Sequence, residues 1–249
     1  LAKIDKRQFS KEEWKQIQAN RKKEKRNRRE LKEINKISSS LPLPQKSPAQ
    51  RQSIHTTAFV LGNGTSRSPI IVEDLQQYGV IYGCNALYRT FAPDHLIAVD
   101  TKMVLEITKT GYQKKHSLWT NPNKAYSRIP KLNIFNPSKG WSSGPTALWL
   151  ASQHSYEKIY ILGFDYRGLE QGKKFNNLFA DTPNYKKSSD GATFFGNWLR
   201  QTTAVVKENP NTQYVKVIAP DNYQPEELNK FKNFSTITVE DFKKIFQLS

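Results

Sequence analysis

Five short clusters carry the groups that could bind or react. They are Gly62-Asn-Gly-Thr-Ser-Arg67, Gly83-Cys-Asn85, Asp100, Ser142-Ser-Gly-Pro-Thr146 and Gly163-Phe-Asp-Tyr166. Glycine turns let the backbone approach a ligand closely. Asn63, Ser66 and Asn85 offer neutral donors and acceptors, and Asp100 and Asp165 offer carboxylates. Ser142 and Ser143 followed by Gly144 and Pro145 read as the start of a helix, where unpaired backbone N–H groups attract a phosphate. The chemistry this suggests is binding of a polar ligand that carries a phosphate. Each cluster also has a plain structural use. Gly62 and Gly64 suit a tight turn that Asn63 caps, a serine suits an N-cap, and Asp100 suits a cap for the residues after it. Several standard chemistries are missing. There is no G-x-x-x-x-G-K-[ST] and no Asp-x-Asp, and Arg67 stands where a dinucleotide fingerprint needs a small residue. One cysteine, Cys84, and four scattered histidines exclude a disulfide framework and make a His/Cys metal cluster unexpected.

These clusters are placed by short apolar runs. Ala58–Leu61, Val80–Tyr82, His95–Val99, Lys158–Leu162 and Tyr214–Ile218 read as strands buried on both faces, with Ser117–Trp119 as a further short one. Helical patterns fall between and after them, over Val72–Tyr78, Thr101–Thr110, Pro145–His154, Ala192–Glu208 and Val239–Phe246, the last capped by Thr238. This alternation predicts an α/β, Rossmann-like, mostly parallel sheet with helices on both faces. In such sheets ligands bind beyond the carboxyl ends of the strands. Four of the clusters follow strands, so they are expected on one rim. There they should form the largest polar pocket, lined by Asn63, Asn85, Ser143 and Asp165.

The chain has 249 residues, a mean hydropathy of −0.72 and a net charge of +17. No apolar run approaches the roughly 20 residues of a membrane span, and the first residues lack the apolar run of a secretory signal. The expected location is the cytoplasm or a virus particle. Residues 1–51 hold 16 Lys/Arg against 6 Asp/Glu, so more than half the excess charge lies in a fifth of the chain. Three parts are expected: a basic helical arm over 1–37, a Ser/Pro-rich linker over 38–57, and the Rossmann-like domain over 58–249. Ser10-Lys-Glu-Glu13 has the form of a capping box. The run Arg21, Lys22, Lys23, Lys25, Arg26, Arg28 and Arg29 is charged all round, which suits a nucleic-acid or acidic protein surface rather than a core.

Val60-Leu-Gly-Asn-Gly-Thr-Ser66, Tyr82-Gly-Cys-Asn-Ala-Leu-Tyr88, Trp141-Ser-Ser-Gly144 and Ile159-Tyr-Ile-Leu-Gly-Phe-Asp-Tyr166 occur in the order of a known motif set. They resemble bacterial CMP-sialic-acid-dependent sialyltransferases of the lipooligosaccharide type. They also resemble the related domain of MptE-like 6-hydroxymethylpterin pyrophosphokinases, the branch that Pro93–Asp100 fits better. The domain is also similar to proteins of tailed phages. The resemblance covers about residues 58–166. It implies a Rossmann-like fold in which Asn63, Gly64, Ser66 and Asn85 contact a nucleotide, and Ser142, Ser143 and Gly144 hold the donor's charged group. Asp165 and Tyr166 would line the donor pocket. It implies a CMP-sugar donor or, in the pyrophosphokinase branch, Mg²⁺ on Asp100 and Asp165. The sialyltransferases use a histidine after the last motif as general base. This chain has no histidine beyond Asp165, and Asp190 is the carboxylate that stands in that region.

Two functions follow as expectations. One is a nucleotide-sugar-binding protein of glycosyltransferase type, with binding better supported than transfer. The other is a structural component of a virus particle or nucleoprotein assembly that keeps this fold and anchors through its basic arm.

Overall fold

The computed structural model describes residues 55–218 and 224–248, together with Gln18 and Arg29, both helical and exposed. The remaining arm residues and the linker up to 54 lie outside the described residues. Eight strands form one sheet: β1 (Thr57–Leu61), β2 (Val80–Cys84), β3 (His95–Ile97), β4 (Leu118–Thr120), β5 (Asn133–Ile134), β6 (Lys158–Leu162), β7 (Gln213–Ile218) and β8 (Phe234–Thr238). Their order is β5-β4-β3-β2-β1-β6-β7-β8 and every pairing is parallel. The chain winds outward from β1 to β5, then returns to set β6 against the other side of β1. That reversal is the topological switch of a Rossmann-like α/β sheet.

Alternation along the strands assigns each face its cover. Ala58, Val60, Val80, Tyr82, Ile159, Ile161 and Tyr214 pack under α2 (Ser143–Gln153) and α3 (Gly196–Glu208). Phe59, Leu61, Ile81, Tyr160, Leu162, Val215 and Val217 face the 3-10 segment Val72–Gln77 and α4 (Val239–Ile245). Phe59, Tyr160, Phe242 and Phe246 interlock there with ring centroids 4.9–6.1 Å apart, each such burial contributing about 1.5–3 kcal/mol. A third cluster packs α1 (Thr101–Lys109) on Leu96, Ala98 and Leu118. Buried Asp94 accepts from the backbone N–H of Ile81 at 2.8 Å and so fastens the entry of β3 to β2. Among the described residues, no helix is long and apolar enough to cross a membrane.

Several expectations shift. The segment at Val72 is 3-10 rather than α. The helix expected from Ala192 begins at Gly196, because Gly191 bridges Lys174 and Ala192 donates to Lys173 O, which holds the chain extended. Thr57 belongs to β1, and Thr56 O accepts from Glu157 and Lys158 N–H, so both residues belong to the sheet domain rather than to a linker. Thr238 caps α4 as expected, accepting from Asp241 N–H. Strands β5 and β8 were not expected: β5 is two residues long, and β8, an edge strand, alternates Phe-Ser-Thr-Ile-Thr instead of running apolar.

Candidate functional site

A cavity of about 340 Å³ lies at the carboxyl ends of β1 and β6, at the switch. It brings together Asn63, Gly64, Asn85, Asp100, Ser142, Ser143, Gly144, Asp165 and Tyr166. It is not the largest hollow, since a shallower one of about 580 Å³ sits beside β5.

The turns after β1 and β6 pack back to back. Gly62 N–H donates to Leu162 O and Gly64 N–H to Gly163 O. A Cβ on Gly62 would lie 2.4 Å from Gly163 O, and one on Gly64 would lie 2.5 Å from the Asp165 carboxylate. These glycines therefore make room for the neighbouring turn as much as for a ligand. Thr65 N–H goes to Asn176 Oδ1, Ser66 N–H to Asp165 Oδ2, and Arg67 N–H to Gly64 O. The donors of Gly64 and of Thr65, Ser66 and Arg67 are thus spent inside the protein, and the glycine turn is not a phosphate cradle. Asp165 is spent likewise, on Ser66 Oγ, Ser66 N–H and Asn176 Nδ2. Ser66 itself does not line the cavity.

The other end of the cavity is the start of α2. Ser142 precedes the helix in extended conformation, and no side chain caps it. The N–H groups of Ser143 and Gly144 have no acceptor within the helix, and the first intrahelical bond runs from Thr146 N–H to Ser142 O. Pro145 has no N–H to leave unpaired. The Ser143 hydroxyl donates to Asn85 Oδ1 and accepts from Val99 N–H. Ser142 N–H is taken by Gln201 Oε1 of α3. The side chain of Asn63 is 7% exposed; its Nδ2 donates to Cys84 O, while its Oδ1 is buried with no partner. An orphaned carbonyl oxygen of this kind is costly unless a donor meets it.

Tyr166 reaches away from ligand chemistry: its hydroxyl donates to Thr202 in the core, and burial pushes its pKa up. Burial pushes the Cys84 thiol up to about 12, so it stays protonated, donating to Leu61 O. Asp190 is not in the cavity. It lies exposed in the β6–α3 connection, where its carboxylate accepts from Lys187 N–H, so the region aligned with the missing histidine supplies no base here. The two-carboxylate Mg²⁺ arrangement does not fit either, because both Asp165 oxygens already accept from protein donors. Among the described residues no three His, Cys, Asp or Glu cluster as metal ligands.

The sequence reading missed Arg167, Asn176, Asn177 and Trp198, which complete the walls. They lie in or just beyond the long connection after β6, where no periodic pattern marks them. It also missed Lys216. This lysine is 3% exposed on β7, and burial lowers its pKa to about 8 despite the opposing pull of Asp165. Its signal was present: a lysine inside the apolar run Tyr214–Ile218.

No protein-family model matches the sequence, and no curated protein matches it.

Proposed function

We propose that the cavity binds a nucleotide or nucleotide sugar, as in the sialyltransferase-like proteins the motifs resemble. The phosphate would sit on the Ser143 and Gly144 N–H groups at the start of α2, and a ribose hydroxyl or base amine would meet Asn63 Oδ1. The observation that carries this is the pairing of an uncapped helix start with a buried, unpartnered acceptor in one switch-point cavity. The helix start favours an anion; the acceptor favours a ligand that brings an N–H or O–H. Phosphate and sugar or base together satisfy both.

Calorimetry of the full chain with CMP tests it, with Ser142→Asp as the variant. An aspartate there supplies the missing cap and its own negative charge. Ser142→Asp should raise the melting temperature and weaken CMP by about tenfold or more, in line with a charged-group hydrogen bond of about 1.5–3 kcal/mol. Absence of CMP binding at millimolar concentration sinks the reading.

A second reading has its own observation. The first 51 residues carry a net +10, which supports anchoring to nucleic acid or another polyanion and so a place in a virus particle or nucleoprotein assembly. It is compatible with a retained nucleotide pocket.

A further inference from the structure

We propose that Asp100 is the general base of this site and that the cavity on its far side receives a hydroxylated acceptor such as a sugar. The proposal rests on the nucleotide-sugar reading above.

A second cavity of about 440 Å³ adjoins the first, lined by Asn85, Asp100, Thr101, Lys102, Met103, Asn184 and Tyr185. The two cavities have two lining residues in common, Asn85 and Asp100. Asn85 Oδ1 already accepts from Ser143. Asp100 is exposed and is the residue before α1, where an aspartate ordinarily bonds the second or third helical N–H for about 1 kcal/mol. It makes no such bond, and no side-chain hydrogen bond or ion pair holds it among the described residues. The carboxylate forgoes its structural use and stands between two cavities.

The other carboxylates near the site are spoken for. Asp165 is held by Ser66 and Asn176. Glu106 is buried against Arg89, Tyr88 and Asn184. Asp190 lines neither cavity. Tyr185 lines the second cavity, and its hydroxyl accepts from Asn63 Nδ2 at 3.5 Å and from Ala86 N–H at 3.4 Å, which ties this wall to the first cavity. Thr101, Lys102 and Asn184 bring polar groups to the lining of the second cavity, with Lys102 and Asn184 exposed, so a ligand bearing hydroxyls could bond there.

The chemistry balances without a further reactant. The acceptor hydroxyl gives its proton to the Asp100 carboxylate as its oxygen forms a bond to the anomeric carbon of the donor. The bond from that carbon to the phosphate oxygen breaks, its electron pair leaving with the nucleoside monophosphate at the start of α2. Asp100 then returns the proton to water. Water in the second cavity would take the acceptor's place and give slow donor hydrolysis.

The test uses the full chain and CMP-N-acetylneuraminic acid, with and without lactose, reading CMP release, and CMP calorimetry in parallel. Asp100→Asn should keep the melting temperature and bind CMP within about threefold of wild type. Its CMP release should fall about 100-fold or more, the scale of general-base catalysis. Wild-type release by Asp100→Asn overturns the proposal. So does a wild-type chain that binds CMP but releases none from the donor, a result that leaves the binding reading standing. Failure to bind CMP at all removes the binding reading and this proposal with it.

Discussion

The Ser143 hydroxyl stands 2.8 Å from Asn85 Oδ1 and accepts from the N–H of Val99 at 3.1 Å. One buried side chain thereby ties the ends of β2 and β3 to the start of α2. Asn85 pays in backbone conformation for its part, with φ at 53°, a left-handed geometry that asparagine tolerates better than most residues.

Ser143→Ala should therefore act through the frame of the site, since its hydroxyl is held by Asn85 and Val99. It leaves Asn85 Oδ1 and Val99 N–H without their partner, at about 1–3 kcal/mol. Urea denaturation should show that loss, and calorimetry should show weaker CMP binding although the helix N–H groups remain. Unchanged stability would mean that the three elements are held together by other contacts.

A second tie holds the connection between β6 and α3. Arg89 Nη2 lies 2.6 Å from Glu106 Oε1 in a buried pair. Arg89 also donates to Thr182 Oγ1 and Pro183 O, while Asn184 Nδ2 donates to Glu106 Oε2. Glu106→Gln removes the charge that compensates buried Arg89, and should cost about 3–5 kcal/mol. Breaking the exposed Lys139–Glu208 pair by Glu208→Gln should cost no more than about 1 kcal/mol. Equal losses in the two variants, read from denaturant midpoints, would refute this ranking.

The sheet was legible because parallel strands buried on both faces write themselves as apolar runs, as at Lys158–Leu162. The rim clusters were legible for the same reason: a run that ends in Gly-Asn-Gly or Asn85 fixes where those residues stand. What the runs do not contain is who bonds to whom. That Asp165 serves Ser66 and Asn176, while Asp100 serves no neighbour, depends on residues up to 99 positions apart. The segment from Arg167 to Phe195 was opaque, because turns such as Glu170-Gln171, both left-handed in φ, carry no periodicity.

Lys216 should make stability rise with alkaline pH. Its folded pKa, about 8, lies below the ordinary 10.5 because burial disfavours the charge. The unfolded chain therefore holds the proton more tightly, and stability increases between about pH 8 and 10.5 as the folded lysine discharges. At pH 7 the lysine is charged and its burial penalty is at its full size. Lys216→Met should accordingly stabilise the protein at pH 7 by about 1–3 kcal/mol, and that advantage should shrink by pH 9.5. A constant difference across this range would show that Lys216 keeps an ordinary pKa in the folded state.

His95 should act in the same direction on the acid side. Its ring stacks on Tyr82 at 4.7 Å, and its Nδ1 accepts from Trp119 Nε1 at 3.3 Å. Burial first, and His154 second, push its pKa down to about 3; burial also lowers His154 and His116. A histidine kept neutral in the fold takes up its proton first in the unfolded chain. Its contribution to stability is complete above the unfolded value of about 6.5 and is lost as pH falls toward 3. One such proton gives a slope of up to about 1.4 kcal/mol per pH unit. His95→Asn retains an acceptor where Nδ1 stands and cannot be protonated. Urea midpoints between pH 7.5 and 4 should fall less steeply for this variant than for wild type, by about one proton's worth. Carboxylate titration below pH 4.5 burdens both proteins alike, so the comparison isolates the ring. Parallel curves would place the acid sensitivity on His154 and His116 instead.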